Sequence, residues 1–368
     1  QKISGGLTPD NIGVEYCCVL YAFDESPAQR GVFYAGSNDG KVHVSRDNGA
    51  NWVDVTANLP GAPKDGVVRG IDASKWSAGK AYLVIEGHEV GDFKTYAYRT
   101  ADFGRTWKLI VTGVPEHPLS FTRSIQEDPV RQGLVYMGTE NRIYVSFDDG
   151  DRWQPLINNM PPTPIYDLKV QEHFNDLVVG TYGRGFWIMD DLTPLQQLTS
   201  QVAASAAHLF KPRDAYRFQP RTSPMAMSND MTIGQNPEYG ASINYWLGSA
   251  PRGNVTIHIA DASGATVRTM TGPRTQGINR AWWNLEDNAS LPIRLRTTPL
   301  YADWVDMGPQ RMRQVANGVT ILQPPGAYTV TLEVDGRTST QPLRVLKDPN
   351  SEGIEADIVA QVAMLKLM

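Results

Sequence analysis

At 368 residues, 20% charged and 41% hydrophobic, the chain has the composition of a globular protein of two or so domains. Its net charge of −5 comes with the signs interspersed and no basic run, which argues against nucleic acid as the main partner. No apolar stretch approaches the ~20 residues that a membrane helix needs, the longest, such as Tyr16–Phe23, being strand-sized.

The chain opens on Gln1-Lys2 without Met and closes on Asp357–Met368, a helix-like pattern without a stop signal. Both are expected of a fragment, or of the ordered part of something longer. Cys17 and Cys18 are adjacent in an apolar, strand-like run. Neighbours on a strand point to opposite faces, so two buried thiols are expected, with a vicinal disulfide as the alternative. Neither makes a metal site.

Three copies of one octet follow, each reading [Ser/Thr]-x-Asp-x-Gly-x-x-Trp. They are Ser45, Asp47, Gly49, Trp52; Thr100, Asp102, Gly104, Trp107; and Ser146, Asp148, Gly150, Trp153. Their starts lie 55 and then 46 residues apart, a period that signals a stacked or radial repeat. The chemistry is that of a turn. The Asp carboxylate and the hydroxyl accept from nearby backbone N–H groups, Gly takes the positive φ, and Trp returns as an apolar anchor. Three Asp residues in identical settings do not make a catalytic pair, and one Asp with one hydroxyl is too few oxygens for calcium.

A longer unit surrounds each octet. Short segments ending in acids (Val19–Glu25, Arg69–Asp72, Ser124–Asp128) come first, then Gly31–Ser37 or Gly133–Thr139 with the pattern Val/Phe-Tyr-x-Gly. A third strand (Arg142–Ser146), the octet and a fourth strand (Trp153–Ile157) complete four strands per repeat, as in a propeller blade. A fourth unit, Tyr166–Val170 and Asp176–Asp191, loses the octet, as the last repeat of an array does. Further blades are expected upstream in cis or from another chain in trans.

Residues 192–240 have no sustained period and read as a linker packing on the propeller, with Leu195–Leu209 a helix or a crossing strand. Its methionines are expected to fill gaps. Residues 241–347 read as a β-sandwich with strands at Ser242–Leu247, Asn254–Ala260, Thr266–Thr269, Asn279–Leu285, Ala327–Val334 and Thr338–Leu346. Asp335-Gly336 and Ser263-Gly264 supply turns. Glu286–Pro325, with Trp304, is an elaborated loop. Residues 348–368 begin a helical tail, with Asn350 or Ser351 as its cap.

The octets resemble the Asp-box, or bacterial neuraminidase repeat, of sialidases, xyloglucan-degrading glycosidases and sortilin-type receptor propellers. Gly180–Asp191 and the following sandwich are similar to large secreted bacterial proteins described as sortilin-like or glycosyl-hydrolase-type repeat proteins. Their Ig-like domain resembles that of flagellar hook-capping proteins. The matching segments here are Val255–Ile259, Ala281–Leu285 and Pro325–Val330. The fold class expected is therefore all-β: propeller blades at 1–191, part of a larger propeller, then an Ig/fibronectin-III-like β-sandwich and the start of a C-terminal helix. The resemblance implies a secreted, periplasmic or cell-surface protein. Its hydrolase label rests on fold analogy.

If the octets occupy one face, the opposite face carries Asp39, Glu89, Glu140 and Arg184 in turns and Arg69, Arg123 and Tyr166 just before the first strands. The arginines suit a carboxylate on a peptide terminus or an acidic sugar. The plainer reading is that each caps a carbonyl or pairs with a loop acid. The Arg-Ile-Pro segment expected of a sialidase is not in this chain. Asp39, Glu89 and Glu140 are candidate glycosidase carboxylates that sequence alone does not pair. His88 and His117 lack metal-ligand spacing, and no cofactor is expected. Asn254-Val255-Thr256 and Asn288-Ala289-Ser290 fit the glycosylation pattern, which is common by chance. The reading is a peptide- or glycan-binding or assembly module. The alternatives are a glycoside hydrolase with its carboxylates in blades outside this chain, and a structural subunit of an extracellular assembly.

Overall fold

The computed structural model describes residues 19–218, 234–291, 301, 304 and 318–367. Cys17 and Cys18, the methionines at 225, 227 and 231, and most of the 286–325 insertion lie outside the described residues. The chain divides into two compact units at Leu192.

The first unit is a succession of antiparallel sheets. One comprises β1 (Leu20–Glu25), β2 (Phe33–Ser37), β3 (Val42–Ser45) and β4 (Val53–Asp54). The next has β5 (Val67–Ala73), β6 (Ala81–Glu86), β7 (Tyr96–Thr100) and β8 (Lys108–Leu109). The third has β9 (Thr122–Glu127), β10 (Val135–Thr139), β11 (Ile143–Ser146) and β12 (Gln154–Pro155). Strand order is sequential in each, which is the meander of a propeller blade. The fourth sheet holds β13 (Ile165–Gln171), β14 (Asp176–Thr181) and β15 (Phe186–Met189), with no outer strand among the described residues.

All three octets fold identically. The Ser45, Thr100 and Ser146 hydroxyls donate to Asp47, Asp102 and Asp148 at 3.0, 2.9 and 2.7 Å. They accept from the Gly49, Gly104 and Gly150 N–H groups at 3.0, 2.9 and 2.9 Å. Each Asp then accepts from the N–H four residues on, that of Asn51, Thr106 or Arg152, at 2.8–2.9 Å. Each glycine has φ between 78° and 84°, the left-handed turn that favours Gly. The residue before it (Asn48, Phe103, Asp149) donates its N–H to Gly31, Gly79 or Gly133 at 2.8–2.9 Å. This ties the octets to the turns between first and second strands and puts both on one face. The turns between second and third strands, and the blade-to-blade links, fall on the other.

The fourth strands are shorter than the expected Trp153–Ile157. Trp153 leaves the strand because its N–H donates to Thr112 and its indole N–H to Ile110, both at 2.8 Å and both just past blade 2. Trp153 thus anchors the third sheet to the second.

A second device joins the innermost strands. Asp24 accepts the Ala73 N–H at 2.8 Å, Asp72 that of Glu127 at 2.7 Å, and Gln126 that of Val170 at 2.8 Å. These three acceptors occupy one position, opposite Tyr34, Tyr82 and Tyr136 of the second strands. Burial pushes Asp72 up to about 7 and raises Asp24 as well. Between the ordinary carboxylate range and about 7, folded Asp72 keeps a proton that the unfolded chain has lost. Unfolding then releases a proton, and stability falls as pH rises across that window. Asp72→Asn keeps an acceptor for the Glu127 N–H. It is expected to raise the melting temperature of this unit at pH 8 and to flatten its pH dependence between 4 and 7, by roughly 2–4 kcal/mol over the window. Thermal melts across pH would show no difference from wild type if Asp72 were ionised throughout.

The second unit begins with α1 (Thr193–Gln197), α2 (Ser200–Ala203), β16 (Ala207–Leu209) and β17 (Ala215–Arg217). The single helix or crossing strand expected over Leu195–Leu209 is broken where the Thr199 hydroxyl caps α2, accepting the Val202 N–H at 3.2 Å. Next come β18 (Ala241–Leu247), β19 (Val255–Ala260), β20 (Thr266–Gly272), β21 (Gly277–Trp283), β22 (Gly326–Val334), β23 (Arg337–Lys347) and α3 (Glu355–Leu365). The sheet β16-β18-β21 and the sheet β17-β23-β22-β19-β20 share one core. Ile243, Tyr245, Leu247 and Trp283 from the first are buried with Ile257, Ile259, Val330 and Leu332 from the second. The period-two alternation of β19 and β22 sets that inward face. Asp335 (φ 47°) and Gly336 (φ 77°) make the tight β22–β23 turn. The last helix starts later than Asn350 or Ser351. Asn350 donates its N–H to Asp348 in a turn, and Asp357 accepts the Ile354 N–H at 3.3 Å as α3 opens.

Candidate functional site

Every first strand carries a bulge at the same place. Pairing skips Tyr21 in β1, Arg69 in β5, Arg123 in β9 and Tyr166 in β13. A bulge re-aims the side chain of its extra residue. Here it turns four equivalent residues, Tyr-Arg-Arg-Tyr, toward one another at the end of the innermost strands opposite the octets. The Arg69 guanidinium lies 4.9 Å from the Tyr21 ring centroid and 5.0 Å from that of Tyr166. Arg123 lies 4.4 Å from the Tyr166 centroid and 5.1 Å from that of Phe121. Tyr182, from the β14–β15 turn, stacks on Tyr166 with centroids 5.3 Å apart. Cation–π contact of this kind holds a guanidinium in place without consuming its N–H donors.

Beneath the arginines sits Glu86, the last residue of the wholly buried strand β6. Arg69 Nε is 3.3 Å from Glu86 Oε2 and Arg123 Nη1 is 3.0 Å from Oε1. His88 Nδ1 lies 2.5 Å from the same Oε1 and stacks on Phe121. Burial pushes the Glu86 carboxyl up, and Arg123, Arg69 and His88 pull it back. Arg123 Nε also pairs with Glu140 at 2.6 Å. Arg69 Nη1 donates to the Tyr21 hydroxyl. Arg69 and Arg123 thus both pair with acids, Arg69 with the strand residue Glu86 and Arg123 with Glu86 and Glu140. A guanidinium has five N–H donors, so with respect to the described residues each arginine retains donors at Nη2.

A cavity of about 250 Å³ opens here, lined by Tyr21, Arg69, Arg123, Tyr166, Asp72 and Lys169. Among the residues singled out by sequence, Arg69, Arg123, Tyr166 and Glu140 come together. The others do not. Asp39 accepts a hydrogen bond from the Ser37 hydroxyl and lines a separate hollow with Leu20 and His43. Glu89 is exposed on a 3₁₀ turn, and Arg184 is exposed at the β14–β15 turn, where its carbonyl accepts the Trp187 indole N–H at 3.1 Å. Sequence reasoning missed Tyr21 and Glu86. Tyr21 was findable by aligning first strands on their acids. Glu86 was signalled by an acid closing an all-apolar run.

Blades in sequential meander, joined through octets of one geometry, settle the architecture of this half. The first unit is a row of antiparallel sheets like propeller blades, three of them closed by the octet turn. No protein-family model matches the chain. Over 128 residues, 33% of the chain, it is 31% identical to vacuolar protein sorting/targeting protein 10 of Laccaria bicolor. The chain covers only 7% of that protein's length. Similar solved structures include YCF48 bound to D1 peptide, at TM-score 0.34 and 14% identity over 88% of this chain and 82% of that one. The GH74 xyloglucanase of Xanthomonas campestris matches at TM-score 0.37 and 12% identity over 93% of this chain and 46% of that one. YCF48 from Cyanidioschyzon merolae matches at 0.33 and 15%, over 51% of this chain and 59% of that one.

Proposed function

We propose that this chain is a peptide-binding propeller module whose ligand presents a free carboxylate to the Tyr-Arg-Arg-Tyr mouth. The observation that carries the reading is the convergence of two arginines and two tyrosines from four equivalent bulges on one small cavity. Arg69 and Arg123 supply charge-assisted donors for a carboxylate, and Lys169 lines the same cavity. Tyr21, Tyr166 and Tyr182 supply flat apolar walls for the neighbouring side chain. Glu86 and Glu140 hold the guanidiniums in place and offset part of their charge, which selects a hydrogen-bonding anion over a diffuse one. The relative that matches over 128 residues is named for protein sorting and targeting, in keeping with recognition of polypeptides. We place the protein in a secreted, periplasmic or cell-surface setting, with the second unit as an Ig-like companion to the propeller.

The test uses matched peptides with a tyrosine or leucine next to the C terminus, one a free acid and one its amide. Calorimetry on the whole chain is expected to show the acid binding at least about tenfold more tightly, the worth of one hydrogen bond to a charged group. Arg69→Gln removes most of that difference. Equal affinity for acid and amide, or an acid preference untouched by Arg69→Gln, would sink the reading.

A further inference from the structure

The second sheet departs from its neighbours on the face that carries the mouth. Residues 87–95 join its second and third strands, nine residues where the first sheet has four (38–41) and the third has three (140–142). A repeat that lengthens one turn adds something the shared architecture does not need. The added loop is tied down at several points. His88–Val90 form a 3₁₀ turn that ends at Gly91, with φ 81°. The Tyr96 hydroxyl donates to Asp92 Oδ2 at 2.7 Å, and Asp92 Oδ1 accepts the Lys94 N–H at 3.1 Å. The Thr95 hydroxyl donates to the Ser120 carbonyl at 2.7 Å.

A second departure opens space beside this loop. The Val55 and Ile110 N–H groups hold equivalent places, donating to Val42 and Ala97 at 2.9 and 2.8 Å. In the first sheet the next residue, Thr56, folds back, and its hydroxyl accepts the Val42 N–H at 2.9 Å. In the second sheet that residue is Val111, which has no hydroxyl, and the Thr112 carbonyl beyond it is taken by the Trp153 N–H. A hollow of about 640 Å³ results, lined by Phe93, Tyr96, Leu109, Val111, Val114 and Pro118. That is the size and character of a ligand pocket. Exposed Lys94, Glu116 and His117 line it as well. His117 Nδ1 accepts the Leu119 N–H at 3.1 Å, so Nε2 carries the proton and is a donor.

Ring contacts connect the hollow to the mouth. Phe121 is buried between them, 5.1 Å from the Arg123 guanidinium and 6.2 Å, edge-on, from the Phe93 ring. At ~3.3 Å per residue, roughly three or four residues of extended chain cover that distance.

We infer that this hollow is a second subsite for the same peptide, taking a bulky apolar side chain at the fourth or fifth residue from the C terminus. The inference rests on the mouth as the anchor of the terminal carboxylate. An extended peptide is the occupant because the hollow lies on the mouth's own face and within a few residues' reach of Arg123. Its polar fringe also suits a peptide backbone, with donors at Lys94 and His117 Nε2 and an acceptor at Glu116. The ligand class is thereby narrowed to a peptide with a free C-terminal carboxylate and an aromatic or large aliphatic residue upstream.

The test extends the short free-acid peptide upstream in serine, with a single phenylalanine moved through the third to the eighth position from the C terminus. Calorimetry on the whole chain is expected to show affinity rising on the order of tenfold at the fourth or fifth position and not at the eighth. Leu109→Ser with Phe93→Ser, at sites 39% and 46% exposed, removes most of that rise and leaves the acid–amide difference of the short peptide. Benzoylphenylalanine at the best position is expected to cross-link to residues 87–118 of the unsubstituted chain. A flat series with the acid–amide difference intact overturns the inference and leaves the mouth standing. Cross-links outside 87–118 overturn it too, as does a flat series in which free indole binds the hollow, which would give it to a small molecule. Equal affinity for acid and amide, with the phenylalanine rise still lost in the double variant, sinks the mouth alone and keeps the hollow as an apolar peptide subsite.

Discussion

Lys80→Leu is expected to lower the stability of the propeller unit by about 3–5 kcal/mol, and Lys80→Leu with Glu127→Gln to regain most of it. Lys80 is buried in blade 2 and its Nζ reaches across to blade 3, 2.7 Å from Glu127 Oε1 and 2.6 Å from Asp149 Oδ1. Arg99 joins the same cluster, 2.8 Å from Asp149 Oδ2. Glu127 is also held by the Gly133 N–H at 2.9 Å and by the Ser74 hydroxyl. Removing the ammonium alone strands a buried carboxylate, and that penalty dominates over the lost attraction. The position itself does not require a charge. Val32 and Leu134 stand there in blades 1 and 3, both fully buried, and the carbonyl of each of the three accepts the same turn hydrogen bond, from the N–H of Ser26, Ser74 or Asp128. A neutral Gln at 127 keeps an oxygen for Gly133, so the double variant restores an ordinary apolar interface. Thermal melts would show a drop of roughly 6–15 °C for the single variant and a small one for the double. A double variant no better than the single would mean that the ion cluster is itself stabilising.

The second large effect separates three equivalent glycines. Gly36→Val and Gly138→Val force a side chain into space already held by Val68 and Ile165, and each is expected to cost at least about 3 kcal/mol. Val68→Ala is expected to recover part of the loss in Gly36→Val. Gly180→Val, at the same place in blade 4, meets nothing nearer than 3.7 Å and is expected to change stability by less than about 1 kcal/mol. Denaturant melts of the three single variants decide the matter. Equal losses at 36, 138 and 180 would show that strand geometry, and not blade packing, selects these glycines.

The octets were legible because their function is local. One hydroxyl, one carboxylate, one glycine and one indole satisfy a turn within eight residues, so the pattern survives in the letters. The Val-Tyr-x-Gly strand was legible for a different reason, since its tyrosine and glycine serve two recurring contacts between strands and blades. The site was legible only where a charged residue stood in an apolar run, as at Arg69 and Arg123. Tyr21 escaped because a tyrosine in an apolar strand looks like core until the bulge in β1 turns it outward. Glu86 escaped because its partners come from β5 and β9, and no local spacing records a contact across three strands. Asp39, Glu89 and Arg184 were placed on the right face by their turns, but a face is wider than a site. Edge strands in the second unit, β16 and β17, fell within a stretch without period because three residues are too few to show alternation.

On the proposed function, ligand binds at the mouth formed by the four first-strand bulges. Hydrogen–deuterium exchange on the whole chain, with and without the free-acid peptide, tests it most directly. Protection is expected to be confined to the segments around Arg69, Arg123 and Tyr166 and to the β14–β15 turn that carries Tyr182. Protection that falls instead on the octet turns at 45–52, 100–107 and 146–153, or within 193–367, would contradict it.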